Sequence, residues 1–86
     1  MTANPRPRLP TVLVVDDEVR SQEALRRTLD EDFEVFTAAN ADEAQRIMES
    51  EWVQIIVCDQ RMPGMSGVEF LRRVRSQWPD TLRIIL

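Results

Sequence analysis

Three aspartates carry the most evident chemistry in this chain. Asp16 and Asp17 stand directly after the apolar run Thr11 to Val15, and Asp59 directly after the run Val53 to Cys58. Taken singly, each has an ordinary structural use: Asp is a preferred helix cap, and at a strand end it commonly opens a turn. Taken together they have another. In an open parallel sheet, ligands bind outside the carboxyl ends of the strands, at the point where strand order reverses. If the two apolar runs are neighbouring strands, three carboxylates distant in sequence meet in one crevice. Like charges gathered in this way repel unless a cation relieves them. Hard oxygen ligands without Cys or His select Mg²⁺ or Mn²⁺, and an octahedral ion would complete its shell with a backbone carbonyl from the following loop, waters and a phosphoryl oxygen. Once the negative charge is drawn off, one carboxylate can attack phosphorus and form an acyl phosphate. Asp59 is the best placed, because it ends a buried strand and precedes a loop made pliable by Gly64 and Gly67.

The composition removes most competing chemistries. All 11 basic residues are Arg, with no Lys and no His anywhere. A phosphate-binding loop built on Lys is therefore excluded, as is every His-based nucleophile, general base or zinc site. The lone cysteine, Cys58, lies in an apolar run and reads as a small buried hydrophobe. A net charge of -4 with interspersed signs offers no basic stripe, so nucleic-acid binding by this segment is not expected. The apolar run that ends at Asp16 is too short for a signal peptide or a membrane span, which leads to the expectation of a cytoplasmic protein without a membrane partner.

The elements that must position these aspartates follow from the hydrophobic pattern. Met1 to Pro10, with three prolines among polar residues, reads as a flexible leader, and the domain is expected over residues 11–86. Thr11 to Val15 and Val53 to Cys58 are unalternating aliphatic runs, as in strands buried on both faces of a parallel sheet. Phe33 to Ala38, interrupted by Glu34, suits a strand nearer an edge. Three amphipathic helices are expected. The first spans Glu18 to about Asp30 with Ala24, Leu25, Thr28 and Leu29 inward. The second is opened by Asn40 and Glu43 in a capping-box pattern and runs through Glu49 with Ala44, Ile47 and Met48 inward. The third follows Ser66 with Phe70, Leu71, Val74 and Trp78 inward and stops at Pro79. Gln60 to Gly67 must be a loop, and Leu82 to Leu86 opens a fourth strand. Alternation of strand and helix with right-handed crossovers gives an α/β fold, a parallel sheet with helices on both faces.

The segments Val14-Val15-Asp16-Asp17-Glu18 and Asp59-Gln60-Arg61-Met62-Pro63-Gly64-Met65-Ser66-Gly67, leading into Val68-Glu69-Phe70-Leu71, resemble the receiver domain of two-component response regulators. The resemblance runs from about Thr11 to the end of the chain. It implies a flavodoxin-like (CheY-like) doubly wound parallel sheet, truncated after the fourth strand. It implies further that Asp59 is the phosphoacceptor, that Asp17 binds Mg²⁺ directly with Asp16 assisting through water, and that the backbone carbonyl of Arg61 completes the protein ligands. The donor would be a phosphohistidine on a sensor histidine kinase, the effector a downstream output domain of the parent protein, and the chain itself not an enzyme. In the family, a Ser or Thr ending the fourth strand and a Lys ending the fifth grip the phosphoryl group, and both would lie beyond Leu86. A chain ending there is expected to leave apolar sheet surface and a strand edge open, which invites a homodimer, strand-exchanged or otherwise intertwined.

Two other readings compete. A receiver-like module that is never phosphorylated and serves only for protein interaction or dimerisation would have no need of three clustered acids. A metal-dependent phosphohydrolase with an aspartyl nucleophile would carry a second Asp two residues after the first, where this chain has Arg61.

Overall fold

The computed structural model of the chain describes residues 9–86, so the leader expected over Met1 to Pro10 lies, for its first eight positions, outside the described residues. The elements alternate as β1 (Thr11–Val15), α1 (Val19–Leu29), β2 (Glu34–Ala38), α2 (Ala41–Ser50), β3 (Ile55–Cys58), α3 (Gly67–Gln77) and β4 (Leu82–Ile85). The four strands form one parallel sheet in the order β2-β1-β3-β4. The chain therefore steps from β1 to one side, then crosses back over β1 to the other. With right-handed crossovers that reversal forces the connecting helices onto opposite faces. The core divides accordingly. Val12, Val14, Val35 and Val57 pack with Leu25 and Leu29 of α1. Leu13, Val15, Ile56 and Cys58 pack on the other face with Ala44 and Met48 of α2 and Phe70 and Val74 of α3.

Sequence and structure agree on every element and differ at several boundaries and faces. On α1 the inward stripe is not the expected one: Ala24 and Thr28 are exposed, and beside Leu25 and Leu29 the partly buried positions are Ser21, Gln22 and Arg26. The polar pair is tolerated because each satisfies a backbone carbonyl, Gln22 Nε2 donating to Asp16 O just past β1 at 2.7 Å and an Arg26 guanidinium N–H to Val35 O within β2 at 3.3 Å. β3 begins at Ile55 and not Val53, since Gln54 turns sideways to pair with Thr11. Its N–H donates to Thr11 O at 3.1 Å and its Oε1 accepts from Thr11 N at 2.7 Å. Val53 is buried all the same.

The α2 cap is half of what the sequence pattern suggests. Asn40 Oδ1 accepts from the Glu43 N–H at 2.9 Å, but Glu43 reaches back to the Ala39 N–H at 3.1 Å, one residue earlier than a capping box requires. The full box forms at α3 instead, between Ser66 and Glu69. These bonds from Ser66, first its backbone N–H and then its hydroxyl, hold the Glu69 carboxyl below the usual carboxylate range. Phe70 and Val74 are fully buried along α3, Leu71 and Trp78 partly so. β4 lies at the sheet edge with Leu82, Ile84, Ile85 and Leu86 exposed.

Candidate functional site

The site is a consequence of register. β1 and β3 pair in parallel with Val15 opposite Cys58, so the residues that follow, Asp16 and Asp59, emerge side by side. Backbone bonds continue the ladder past the strand ends: the Asp59 N–H donates to Val15 O at 2.8 Å, and the Asp16 N–H to Ala38 O at 3.0 Å. This is the switch point of the sheet, where the connection from β1 runs to β2 on one side and that from β3 to β4 on the other. One carboxylate oxygen from each of Asp16, Asp17 and Asp59 lies within 4.8 Å of the others. The structure thus brings together all three acids that the sequence singled out.

The three differ in setting. Asp16 is buried, at 7% exposure, and its Oδ1 accepts the Glu18 N–H at 2.9 Å, closing a tight turn that aims the next residue outward. Asp17, so aimed, is exposed, while Asp59 is half-buried. Asp59 Oδ1 lies 3.3 Å from the Arg61 N–H, which folds the start of the β3–α3 loop back over the carboxylate. The donor set is three carboxylates, all oxygen, and their spread suits a small hard divalent cation that several ligands can touch at once. On donor chemistry the residues fit Mg²⁺.

Gly67 fixes how closely α3 approaches the site. A Cβ added there would collide with the Asp59 carbonyl oxygen and stand 2.7 Å from Ile85 Cδ1, so only glycine permits this contact. Gly64, at φ 85°, supplies the one left-handed turn of the loop.

Cys58 lies fully buried beneath the crevice. Burial first, then the charges of Asp59 and Asp16, push its thiol up to about 12, so it stays protonated and unreactive at neutral pH. That agrees with its reading as a small hydrophobe.

Two side chains at the site escaped sequence reasoning. Gln22 bonds to Asp16 O, and Gln60 Oε1 accepts the Val68 N–H at 3.0 Å. Neither amide breaks a hydrophobic pattern. Only the adjacency of Gln60 to Asp59 could have drawn attention to it.

Fold and site together define a doubly wound α/β domain with an acidic crevice at its switch point. The chain belongs to the response regulator receiver domain family, whose sequence model matches residues 12–86. It is 60% identical over 76 residues to the hydrogenase transcriptional regulatory protein HoxA of Cupriavidus necator, a match covering 88% of this chain and 16% of that protein. The chain therefore spans about a sixth of that relative's length. Among solved structures, it is similar to the chemotaxis response regulator CheY4 of Vibrio cholerae, with 35% identity and a TM-score of 0.83 over 90% of this chain and 67% of that one. It is also similar to the response regulator TrrA of Thermotoga maritima, solved in complex with Mg²⁺ and BeF, with 35% identity and a TM-score of 0.79 over 90% of this chain and 66% of that one. No helix among the described residues is long and apolar enough to cross a membrane.

Proposed function

We propose that this chain is the phosphoacceptor module of a two-component response regulator, taking a phosphoryl group on Asp59 from a phosphohistidine of a sensor histidine kinase. The observation that carries the reading is the convergence of Asp16, Asp17 and Asp59 within 4.8 Å at the carboxyl ends of two paired strands. Asp16, Asp17, Asp59 and the backbone carbonyl of Arg61 would hold Mg²⁺, with Mn²⁺ able to take its place. Bound there, the cation neutralises charge on the acids and on a phosphoryl oxygen.

The chain's own contribution is positional. The Asp59 main chain is tied to β1, and its carboxylate is turned by the Arg61 N–H. In the transfer, an Asp59 oxygen forms a bond to phosphorus while the P–N bond to the kinase histidine breaks. The electron pair of that bond leaves with the imidazole, which takes up a proton from solvent. The chain accepts and carries the group and is not itself an enzyme. Because the relative HoxA is a transcriptional regulatory protein, the parent protein would pass the signal to a transcriptional output domain. The same reading places the protein in the cytoplasm. It also expects a homodimer contact between copies of this chain. A monodisperse monomer in light scattering refutes that contact.

The test of the phosphoacceptor reading is intact mass spectrometry after incubation with Mg²⁺ and acetyl phosphate. A single phosphoryl adduct on the parent and none on Asp59→Asn is the expected result. An adduct that survives in Asp59→Asn refutes the assignment. No adduct on the parent favours the interaction-module reading.

A further inference from the structure

The loop between β3 and α3 is closed almost entirely by one residue. The backbone carbonyl of Gln60 accepts the Gly67 N–H at 3.0 Å, and its side-chain Oε1 accepts the Val68 N–H at 3.0 Å. The Ser66 hydroxyl takes the next amide, that of Glu69, at 3.2 Å. The first turn of a helix leaves its amides without intrahelical partners. Here the first three amides of α3 are each supplied with an acceptor, two of them by Gln60. Loop residues 61–66 are thereby strung between Asp59, which holds the Arg61 N–H, and Gln60, which holds the start of α3. Arg61 itself follows Gln60 directly, so the orientation of its carbonyl depends on how Gln60 is fixed.

The type of residue matters as well as the geometry. A neutral amide closes the loop without bringing a positive charge to the crevice, where an Arg or Lys would pair with the carboxylates and compete with a cation. Gln60 is exposed to solvent, so changing its side chain removes little packing. We infer that Gln60 is a positioning residue of the metal centre: its cap on Val68 fixes the loop that, with the Arg61 N–H on Asp59, would present the Arg61 carbonyl to a bound cation. The inference rests on the metal-centre reading above. Outer partners that orient ligands in this manner typically change metal affinity by about 10-fold to 100-fold when removed.

The experiment is a Mn²⁺ titration of the purified protein, read from the signal of the free ion in electron paramagnetic resonance, with a thermal melt of each variant alongside. Gln60→Leu keeps the bulk and loses the acceptor. It is expected to bind Mn²⁺ about 10-fold more weakly while still melting cooperatively. Gln60→Glu retains an acceptor for Val68 and adds a negative charge near the crevice, so it is expected to bind at least as tightly as the parent. Equal affinity in Gln60→Leu and the parent overturns the inference, as does equal weakening in Gln60→Leu and Gln60→Glu. If Gln60→Leu does not melt cooperatively, Gln60→Ala takes its place in the comparison. A parent that takes up no Mn²⁺, or an Asp17→Asn variant that binds as well as the parent, sinks the metal-centre reading itself and the inference with it.

Discussion

Replacing Gly67 by Ala adds one methyl group, and the structure says where that methyl must go. It would lie inside the van der Waals surface of the Asp59 carbonyl oxygen, 3.0 Å from the Asp59 carbonyl carbon and 2.7 Å from Ile85 Cδ1. The Ile85 methyl can rotate away. The Asp59 backbone cannot, because its N–H is bonded to Val15 and its position is set by the β1 pairing. Either α3 lifts from the sheet, loosening Phe70 and Val74 in the core, or the Asp59 peptide tilts and carries its carboxylate off the other two acids. Overpacking of this kind costs about 1–3 kcal/mol. For a domain of this length each kcal/mol lowers the melting midpoint by about 4–8 °C, so Gly67→Ala should melt roughly 5–20 °C below the parent. Thermal circular dichroism measures the first effect and a Mn²⁺ titration the second. Gly64→Ala is the control. Nothing lies within 4 Å of its added Cβ, but its φ of 85° strains any side chain, at about 1–2 kcal/mol, so its midpoint falls through backbone strain alone, with no collision at the Asp59 carbonyl. A Gly67→Ala variant that matches the parent in midpoint and in Mn²⁺ affinity would refute the close-approach argument.

Other expectations follow from single contacts. Gln22→Leu removes the bonds to Asp16 O and Ala38 O, and should cost about 1–2 kcal/mol in chemical denaturation. Ser66→Ala removes the α3 cap, worth about 1 kcal/mol. Because the box depresses the Glu69 pKa, its stabilisation is present above the ordinary carboxylate pKa and is lost as pH falls through the depressed one. The gap between parent and Ser66→Ala melts should therefore narrow in acid without closing, because the hydroxyl's bond from the Glu69 N–H does not titrate. The Cys58 thiol is raised from 9.0 to about 12, so the unfolded chain releases its proton first. The stability it contributes is whole below pH 9 and declines as pH rises toward 12. With no Lys or Tyr side chain in the chain to titrate in that window, a Cys58→Ala variant should show a flatter alkaline stability profile. An identical slope would contradict the burial argument.

Hydrophobic runs made the strands and their acidic ends legible. Thr11 to Val15 and the run ending at Cys58 have no alternation because both faces of those strands are covered, and each run stops at an aspartate because the sheet stops there. What periodicity could not show is polar side chains that face inward for a reason other than apolar burial. Gln22 and Arg26 sit on the inner side of α1 to bond backbone carbonyls, while Ala24 and Thr28, equally well spaced, point to solvent. The misplaced start of β3 has a similar origin. Val53 is apolar and buried but stands in irregular chain ahead of β3, and only the Gln54–Thr11 pairing reveals it. The role of Gln60 depends on a helix start eight residues away, which no local pattern encodes.

The parallel pairing of β1 with β3 also governs when the acidic crevice can exist. Asp16 and Asp59 follow strands that are separated in the chain by α1, β2 and α2. Closing that loop costs chain entropy before any contact repays it, so such non-local parallel pairing is among the slower steps of folding. The acids oppose the step further, since each increment of zipping toward Val15 and Cys58 drives carboxylates together. The acidic crevice is thus expected to be a late product of folding, absent from any nascent chain that has not yet docked β3. A divalent cation that binds the completed crevice and not the open chain draws the equilibrium toward the folded state by mass action. On the proposed reading, a chain that has not yet paired β3 with β1 would lack the site that takes up the phosphoryl group.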